Sequence, residues 1–578
     1  MLNPGFGVVR WRKRALLPTC IAVAFALAVP LAHAQAPVTT CDAAGIGSVT
    51  LKADVPGVTI EDVSTGTTGS DPGAVPYCLV KVTVPQAIHI WVGLPMGGKW
   101  NGRWQSLGGG VYAGTANLTV PTGALVDGYA GATTDTGHAG GPPRFPPFLS
   151  FLDGSFGCVN NCVGNSAANP GQPNIPLQID FAARSEHMMA VIGKQLVGAF
   201  YGQRPAYSYW NGCSTGGRQG LRMAQDFPGD YDGILAGAPA IHWDRFQAAQ
   251  AWYWLVQQLD NGGPIGGGTN LVAKEHLATS KAVAACDALD GVVDGVLTDP
   301  RACHYSARGD ASITKASCTA SDPTCLTPTE ALAIDHMWKG PVSCSKDHPG
   351  ASCNVPDFAT RILFGKGNKR LWYPNERGTD LSALGGATPF IATTEQAKYW
   401  VYFDPTWDPA VLTYDNYLQF FKDNVQRVGP IMASDDPNLF PFRLRGGKVV
   451  MWHGFADQLI VPGGSIDYYN TVAILNGGYK RAQNFARLFM APGVGHCGGG
   501  SGPQPQGLFD AVVKWVEHGK APDTVLASQT LTDGTTQTRP LCPYPAQARW
   551  TGHGSTNDAA NFVCRPSKHD DDDDDDDD

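Results

Sequence analysis

The sequence predicts an α/β protein in which strands and helices alternate around one open sheet. Runs rich in β-branched and aromatic residues predict strands over residues 77–84 and 87–95, and residues 103–110 predict a strand that ends in a glycine loop. Apolar residues at near-helical spacing, without proline, predict a helix over residues 181–201. A strand, a tight turn and a helix follow directly, and this order is typical of α/β sheets.

Three side chains that could act together in catalysis each follow a predicted strand. Ser214 follows the predicted strand 206–210, Asp457 follows the predicted strand 448–452, and His496 follows the predicted strand 486–490. Functional groups of open α/β sheets gather at the carboxyl ends of the strands. A serine hydroxyl needs a base within hydrogen-bond reach, and the base needs a group that fixes its tautomer. The chain order Ser–Asp–His is that of α/β-hydrolases, so we predict this fold and this triad.

The serine stands in a Gly-x-Ser-x-Gly pattern, Gly212 to Gly216, which indicates a nucleophile on a strand-to-helix turn. The chain has 70 glycines, so an ordinary glycine-rich turn is the competing interpretation. For Asp457 the alternative is a loop aspartate that caps a turn, and for His496 it is a structural loop histidine.

Two cysteines strengthen the triad prediction. Cys213 precedes Ser214, and Cys497 follows His496. If the serine and the histidine are hydrogen-bonded, their neighbours come close enough for a disulfide, which requires Cα atoms within about 7 Å. We therefore predict a Cys213–Cys497 bridge that joins the nucleophile turn to the histidine loop.

The sequence indicates an exported protein. Residues 1–34 have the basic start, apolar run and small-residue cleavage site of a signal peptide, and a membrane anchor is the alternative. Fourteen cysteines remain after Cys20, an even number that favours disulfides over zinc, because no finger-like CxxC spacing recurs. We expect a secreted or periplasmic protein that is not membrane-bound after processing. Besides Cys213 and Cys497, we expect disulfides at Cys41, Cys78, Cys286, Cys303, Cys318, Cys325, Cys542 and Cys564; the pairing of Cys158, Cys162, Cys344 and Cys353 stays open.

The charge pattern gives no sign of nucleic-acid binding. The formal net charge of −9 is accounted for by nine consecutive aspartates, Asp570 to Asp578, and no basic patch is visible. We expect residues 569–578 to form a solvated, disordered tail.

A large insertion is expected between the serine and the acid. Ser214 and Asp457 are far more distant in the chain than a few strand–helix units require. We predict a catalytic domain built from residues 35–240 and 427–568, with a lid domain at residues 241–426. The most aromatic stretch of the lid contains Tyr399, Trp400 and Phe403, which could hold an aromatic acyl group or form the core of the lid.

Five segments resemble the tannase and feruloyl esterase family. They are GCSTGGRQGL (212–221), FPGDYDGILAGAPA (227–240), GGKVVMWHGFAD (446–457), GVGHCGGG (493–500) and DGYAGATTDTGH (127–138). The resemblance extends from about Cys41 to Cys564. It implies an α/β-hydrolase fold with an inserted lid, and hydrolysis of esters of aromatic acids. The family also includes enzymes that act on mono(2-hydroxyethyl) terephthalate.

The oxyanion site and a metal site are expected in two loops. A hydrolase of this kind uses two backbone N–H groups, one from Thr215 and one from the early glycine loop, where Gly109 and Gly110 both qualify. A plain flexible turn is the alternative interpretation of that loop. Asp287, Asp290 and Asp294 could be a run of Asp-Gly turns. The resemblance instead implies a structural calcium site at these three residues, with main-chain oxygens of Val292 and Val296.

The functional expectation is a serine carboxylesterase acting on a small aromatic ester. The expected substrates, in order of preference, are feruloyl or other hydroxycinnamoyl esters, galloyl esters and terephthalate monoesters. A peptidase or lipase on the same fold is a second possibility, and a calcium-stabilised binding protein without activity is a third. The sequence does not indicate the oligomeric state.

Overall fold

The computed structural model describes residues 37–566 apart from 39, 72, 115–119, 139–146 and 344–369. The predicted signal peptide, the aspartate tail, and Cys344 and Cys353 lie outside the described residues. The strands are β1 (Thr59–Thr67), β2 (Pro76–Val84), β3 (Ile88–Pro95), β4 (Arg103–Leu107), β5 (Ala130–Thr134), β6 (Tyr207–Cys213), β7 (Gly233–Gly237), β8 (Lys448–Gly454), β9 (Ala486–Ala491), β10 (Gln504–Pro505), β11 (Val525–Thr530), β12 (Thr536–Leu541), β13 (Ala546–Trp550) and β14 (Phe562–Pro566).

Helices alternate with the central strands. They are α1 (Thr122–Val126), α2 (Ile175–Ile179), α3 (Ser185–Tyr201), α4 (Thr215–Asp226), α5 (Trp243–Asp260), α6 (Leu271–Cys286), α7 (Pro328–Lys339), α8 (Ile391–Gln396), α9 (Tyr414–Met432), α10 (Phe440–Leu444), α11 (Pro462–Leu475), α12 (Tyr479–Ala482) and α13 (Leu508–His518). No helix in this described part of the chain has the length and apolar character needed to cross a membrane.

In the described residues, nine strands form one mixed sheet, in the order β1-β2-β3-β5-β4-β6-β7-β8-β9. The first four pair antiparallel, and from β5 to β9 all neighbours are parallel. Side chains of β2 alternate between buried and partly exposed, as expected for a strand with one face on the core. The parallel strands β7 and β8 are buried almost throughout, as in sheets covered on both faces. This confirms the predicted α/β fold.

The strands and helices predicted around the serine are present. The helix predicted over 181–201 begins as a π-helical turn, Asp180–Arg184, and continues as α3. Strand β6 then ends directly at the serine turn, and α4 starts immediately after it. The carboxyl ends of β6, β8 and β9 therefore meet at one edge of the sheet.

The chain between β7 and β8 forms the insertion. Its described part contains α5 to α10 and packs around a large apolar core that includes Trp252, Trp338 and Trp400. Helix α9 runs past residue 426, so the predicted lid boundary falls inside a helix. Insertion and sheet belong to one compact unit that begins at Pro37.

Candidate active site

Ser214 occupies a strained turn between β6 and α4. Its φ of 62° and ψ of −124° lie in a region that non-glycine residues rarely adopt, and its N–H donates to the Gly237 carbonyl at 2.9 Å. The flanking glycines are needed for space. A Cβ on Gly212 would lie 2.6 Å from the Gly216 backbone, and one on Gly216 would lie 3.0 Å from the Gly108 Cα. The pattern therefore forms a turn that only glycines at these positions allow.

The three predicted side chains lie in a single hydrogen-bonded chain. The Nε2 atom of His496 is 2.9 Å from the Ser214 hydroxyl, and its Nδ1 atom is 2.8 Å from Asp457 Oδ2. With the Nδ1 proton donated to the carboxylate, Nε2 is left to accept the serine proton. This tautomer is assigned from the partners, and it is the one that activates a hydroxyl.

Asp457 is fully buried and strongly held as a carboxylate. Its Oδ1 atom accepts the N–H groups of Leu459 and Ile460, each at 2.8 Å. Burial by itself raises the pKa of Asp457, but the interactions with His496 and His453, each of which donates a hydrogen bond to the carboxylate, outweigh burial, and the pKa lies well below its ordinary value. The acid thus stays ionised and fixes the histidine.

A second histidine contacts the acid, and the sequence analysis did not single it out. His453 Nε2 lies 3.1 Å from Asp457 Oδ2 and 2.8 Å from the Ile460 carbonyl, so it carries the proton and donates to both. Its Nδ1 atom accepts from the Ser465 hydroxyl at 2.8 Å. His453 is fully buried at the end of β8, four residues before Asp457, and that position was the available signal.

The cysteine pair joins the serine turn to the histidine loop. Cys213 and Cys497 form a disulfide with a Cα–Cα distance of 6.0 Å across 284 residues of sequence. The histidine loop has a second attachment, because the His496 N–H donates to Gln458 Oε1 at 3.1 Å. The serine turn and the histidine loop are therefore held together by a disulfide as well as by hydrogen bonds.

The structure distinguishes the two glycines proposed for the oxyanion site. The Gly109 N–H donates to Gln219 Oε1 at 2.9 Å, so it is already used. The Gly109 carbonyl accepts from the Gly216 N–H at 2.9 Å, and in a trans peptide the next N–H, that of Gly110, points the opposite way. Thr215 is the first residue of α4, so its N–H has no acceptor within the helix. Gly110 and Thr215 therefore stay the candidates for the two oxyanion contacts.

The buried side chain of Glu186 supports the glycine loop through Gln219. Gln219 donates through Nε2 to Glu186 Oε1, while its own Oε1 holds Gly109. Glu186 also accepts from Ser185 Oγ at 3.0 Å and has no exposed surface. Burial raises the pKa of Glu186 to about 7, although the nearby Arg218 guanidinium opposes this. The orientation of the Gln219 amide is therefore fixed at both ends.

A cavity of about 520 Å³ opens above the serine. The glycine loop, Ser214 and His496 line its floor, and its walls are largely apolar. Four of the lining side chains are aromatic: Phe151, Trp243, Phe246 and Phe390. Trp243 and Phe246 come from α5, at the start of the insertion. The insertion therefore supplies a wall of the site.

Tyr399, Trp400 and Phe403, for which substrate contact was one of two expectations, lie away from this cavity. Among the described residues, none of the three lines this cavity. Tyr399 and Trp400 are buried in a π-helical turn, Ala397–Val401, and the Trp400 indole N–H donates to the Gly154 carbonyl at 2.8 Å. Tyr399 and Trp400 belong to the apolar core of the insertion, and Phe403 packs against that core.

The acidic loop is built from turns in which carboxylates accept backbone N–H groups. Asp287 accepts from Gly295, Asp290 accepts from Val292 and Thr298, and Asp294 accepts from Val296. A side-chain ion pair also joins Asp294 to Arg539. These are the oxygen donors that calcium prefers, but the described part of the chain does not gather the three carboxylates within 4.8 Å of one another.

Among the described residues, the potential ligand atoms of Cys318, Asp322 and Cys325 do lie within 4.8 Å of one another. The two cysteines form a disulfide, so their sulfurs cannot act as thiolate ligands.

Six disulfides are present in the described residues. They are Cys41–Cys78, Cys158–Cys162, Cys213–Cys497, Cys286–Cys303, Cys318–Cys325 and Cys542–Cys564. The Cys286–Cys303 bridge closes the acidic loop. Every cysteine predicted in a disulfide is in one.

The mixed sheet, the strained serine turn and the positions of acid and histidine at neighbouring strand ends define an α/β-hydrolase. Comparisons with known proteins agree. The family model "Tannase and feruloyl esterase" matches residues 77–565. A probable feruloyl esterase of Arthroderma benhamiae is 34% identical, covering 84% of this chain and 85% of that protein. A mono(2-hydroxyethyl) terephthalate hydrolase of Piscinibacter sakaiensis is 30% identical, over 82% and 80%.

A solved structure of similar fold is feruloyl esterase B from Aspergillus oryzae. It is 25% identical, with a TM-score of 0.69, and the match covers 89% of this chain and 98% of that one. The chain belongs to the tannase and feruloyl esterase family, and it is a carboxylic ester hydrolase.

Proposed function

We propose that the protein is a secreted serine carboxylesterase that hydrolyses esters of aromatic acids. Ser214 is the nucleophile, His496 the general base, and Asp457 the acid that orients the histidine. The observation that carries the proposal is the hydrogen-bond chain from Asp457 through His496 to Ser214 at the floor of an apolar cavity.

The reaction proceeds in two halves. Ser214 Oγ attacks the ester carbonyl carbon while His496 Nε2 takes the hydroxyl proton, and the tetrahedral oxyanion accepts from the N–H groups of Gly110 and Thr215. The C–O bond to the alcohol then breaks, and His496 returns the proton to the leaving oxygen. Water, deprotonated by His496, attacks the acyl-enzyme and releases the acid and Ser214.

The aromatic walls of the cavity favour an aromatic acyl or alcohol group. Phe151, Phe246 and Phe390 can pack against a planar ring, and such ring pairs add about 0.5–1.5 kcal/mol beyond the area that they bury. Relatives named as feruloyl esterases make hydroxycinnamoyl esters the first choice. Galloyl esters follow from the family description, and terephthalate monoesters from the name of one relative.

The insertion acts in this proposal as a lid that shapes the substrate site. Its first helix, α5, and Phe390 beside α8 both line the cavity. Export is supported by the six disulfides of the described residues, because such bonds persist in oxidising compartments.

A structural calcium ion in the acidic loop is a further part of the proposal. Asp287, Asp290 and Asp294 would bind it together with main-chain oxygens of Val292 and Val296, and the Cys286–Cys303 bridge closes that loop. The ion would stabilise the folded loop, and no catalytic step depends on it.

The test is hydrolysis of methyl ferulate, methyl gallate and mono(2-hydroxyethyl) terephthalate by the wild type and by Ser214→Ala. Activity on at least one ester is expected, with a loss of at least about 10³-fold in the variant and an unchanged melting temperature. A fluorophosphonate probe should label the wild type and not the variant. A folded wild-type protein that hydrolyses none of the three and resists labelling would be the binding protein considered as the alternative.

A further inference from the structure

The carboxylate of Asp457 has all its acceptor positions in use, and one of its donors is the second histidine. Oδ1 accepts two backbone N–H groups. Oδ2 accepts from His496 Nδ1 at 2.8 Å and from His453 Nε2 at 3.1 Å. An ionised carboxylate offers about four acceptor sites, so these four donors saturate it. A carboxylate held in this way cannot turn without losing hydrogen bonds.

The ring of His453 is itself fixed from both sides. Its Nε2 atom lies 2.8 Å from the Ile460 carbonyl as well as close to the acid, and its Nδ1 atom lies 2.8 Å from the Ser465 hydroxyl on α11. A carbonyl and a carboxylate can only accept, so Nε2 carries a proton, and the neutral ring accepts the hydroxyl proton at Nδ1. One N–H of His453 therefore connects the side chain of the acid to the main chain of the same loop.

The other side chains that hold the acid loop carry no charge. From the insertion, Asn375 donates to the Asp457 carbonyl at 2.9 Å, and Gln250 donates to a carbonyl two residues further on at 2.8 Å. Among the described residues, the titratable side chains in contact with the Asp457 carboxylate are His453 and His496. A change at one histidine therefore reaches the other through a single shared carboxylate.

We propose that His453 is a positioning residue that acts on the reaction through Asp457. Its N–H holds the carboxylate in the orientation that fixes the ring of His496, and it takes up part of the negative charge that faces this ring. The inference rests on the proposed triad chemistry and extends the triad by one residue that never touches the substrate.

Loss of this N–H should have two separate effects. A misplaced acid misaligns the base, so kcat should fall by about 10- to 100-fold. His453 is not among the described residues that line the cavity, so KM should stay within about twofold. More charge at Oδ2 also favours the protonated form of His496, so the acid limb of the kcat/KM profile should move to higher pH by about 0.5–1 unit.

The acid limb reports on His496 and not on the carboxylate. Burial raises the pKa of Asp457, but the interactions with the two histidines outweigh burial and keep the pKa well below its ordinary value. The acid is therefore already ionised at the pH values at which the base loses its proton.

The experiment compares two amide substitutions that differ in reach. In His453→Gln the amide N–H lies near the position of Nε2 and can still donate to the acid, whereas the shorter side chain in His453→Asn ends near the position of Nδ1. The kcat and KM for methyl ferulate, or for the best of the three test esters, would be measured from about pH 4 to about pH 9. His453→Asn should show both effects. His453→Gln should keep kcat within about fivefold and leave the acid limb in place.

His336→Asn is the matched control. The buried His336 lies in the insertion with its Nδ1 atom 2.7 Å from Asp260 Oδ2, and neither residue is among those described as lining the cavity. The control should lower the melting temperature, because it disturbs a buried hydrogen bond, and should leave kcat within about twofold and the acid limb unmoved.

Two outcomes overturn the proposal while leaving the esterase function intact. The first is a folded His453→Asn with the kcat and the acid limb of the wild type. The second is an equal loss of kcat in both His453 variants without any shift of the limb, which is the result of a purely structural role.

Nitrogen NMR of the histidine-labelled wild type decides if His453→Asn does not fold. The proton of His453 should lie on Nε2, and its resonance should move as His496 titrates, because both rings share Oδ2. A proton on Nδ1, or a resonance that does not respond, overturns the proposal. A wild type that hydrolyses no aromatic ester and is not labelled at Ser214 refutes the function itself.

Discussion

The Cys213–Cys497 bridge provides the sharpest test of how the site is assembled. Replacing both cysteines with Ala removes the bond between the serine turn and the histidine loop without touching a group that does chemistry. We expect activity and stability to fall together. Both cysteines border the cavity, so loosening the bridge lets Ser214 move relative to His496. A misplacement of about 1 Å between reacting groups costs about 100-fold in rate.

The stability loss can be worked from the length of the closed loop. The bridge spans 284 residues of sequence, and the chain-entropy relation then gives about 5–6 kcal/mol at 25 °C. Measured losses for native disulfides are commonly about 2–5 kcal/mol, because the unfolded chain keeps other constraints. Five other disulfides in the described residues supply such constraints, so we expect a loss nearer 2 than 5 kcal/mol.

The matched control is Cys318→Ala with Cys325→Ala. That bridge spans only 7 residues, for which the same relation gives about 2–3 kcal/mol, and neither cysteine lines the cavity. The control should lower the melting temperature and leave kcat within about twofold. Thermal unfolding and kcat on one aromatic ester would be measured for both variants. A Cys213/Cys497 variant with wild-type kcat, or peptide mapping that pairs Cys213 with another cysteine, refutes the reasoning.

Three further predictions concern the oxyanion loop, the acidic loop and a buried acid. Gln219→Met removes the acceptor of the Gly109 N–H. We expect kcat to fall by about 10- to 100-fold and KM to stay within about twofold, because the loop is proposed to stabilise the tetrahedral intermediate. An unchanged kcat with a KM raised by the same factor would contradict this. Exhaustive EDTA treatment should lower the melting temperature by several degrees, because an ion bound only by the folded state stabilises it; metal analysis of the purified protein is the check. Folded Glu186 keeps its proton to about pH 7, whereas an unfolded glutamate loses it near 4.5, so its contribution to stability falls as pH rises through that window. Glu186→Gln should remove that part of the pH dependence of the melting temperature.

The triad geometry could be predicted because local patterns and strand ends both constrained it. Ser214 needed a strand before it and a helix after it, and the pattern of residues predicted both. Asp457 and His496 followed apolar strands whose carboxyl ends necessarily meet at one edge of a parallel sheet. The adjacent cysteines added a distance restraint of a few ångströms between segments far apart in sequence, which periodicity alone never provides.

The walls of the cavity could not be predicted in the same way. The aromatic character of a side chain predicts that it is buried, but it does not predict whether the side chain faces a core or a cavity. Tyr399 and Trp400 have the character of ring-binding residues, yet a π-helical turn directs them into the insertion core.

The glycine loop shows how one hydrogen bond distinguishes two neighbours that the sequence leaves equivalent. Gly109 and Gly110 are chemically identical neighbours in a run of glycines. A Cβ on Gly109 would collide with the Gly114 carbonyl at 0.9 Å, whereas one on Gly110 would meet nothing within 4 Å. Gly109 is thus a packing glycine whose N–H and carbonyl are both tied to α4, and this anchoring turns the following N–H away from the helix. Of the two N–H groups, α4 holds that of Gly109 and not that of Gly110, and the Gln219 amide, which is fixed by Glu186, makes this difference.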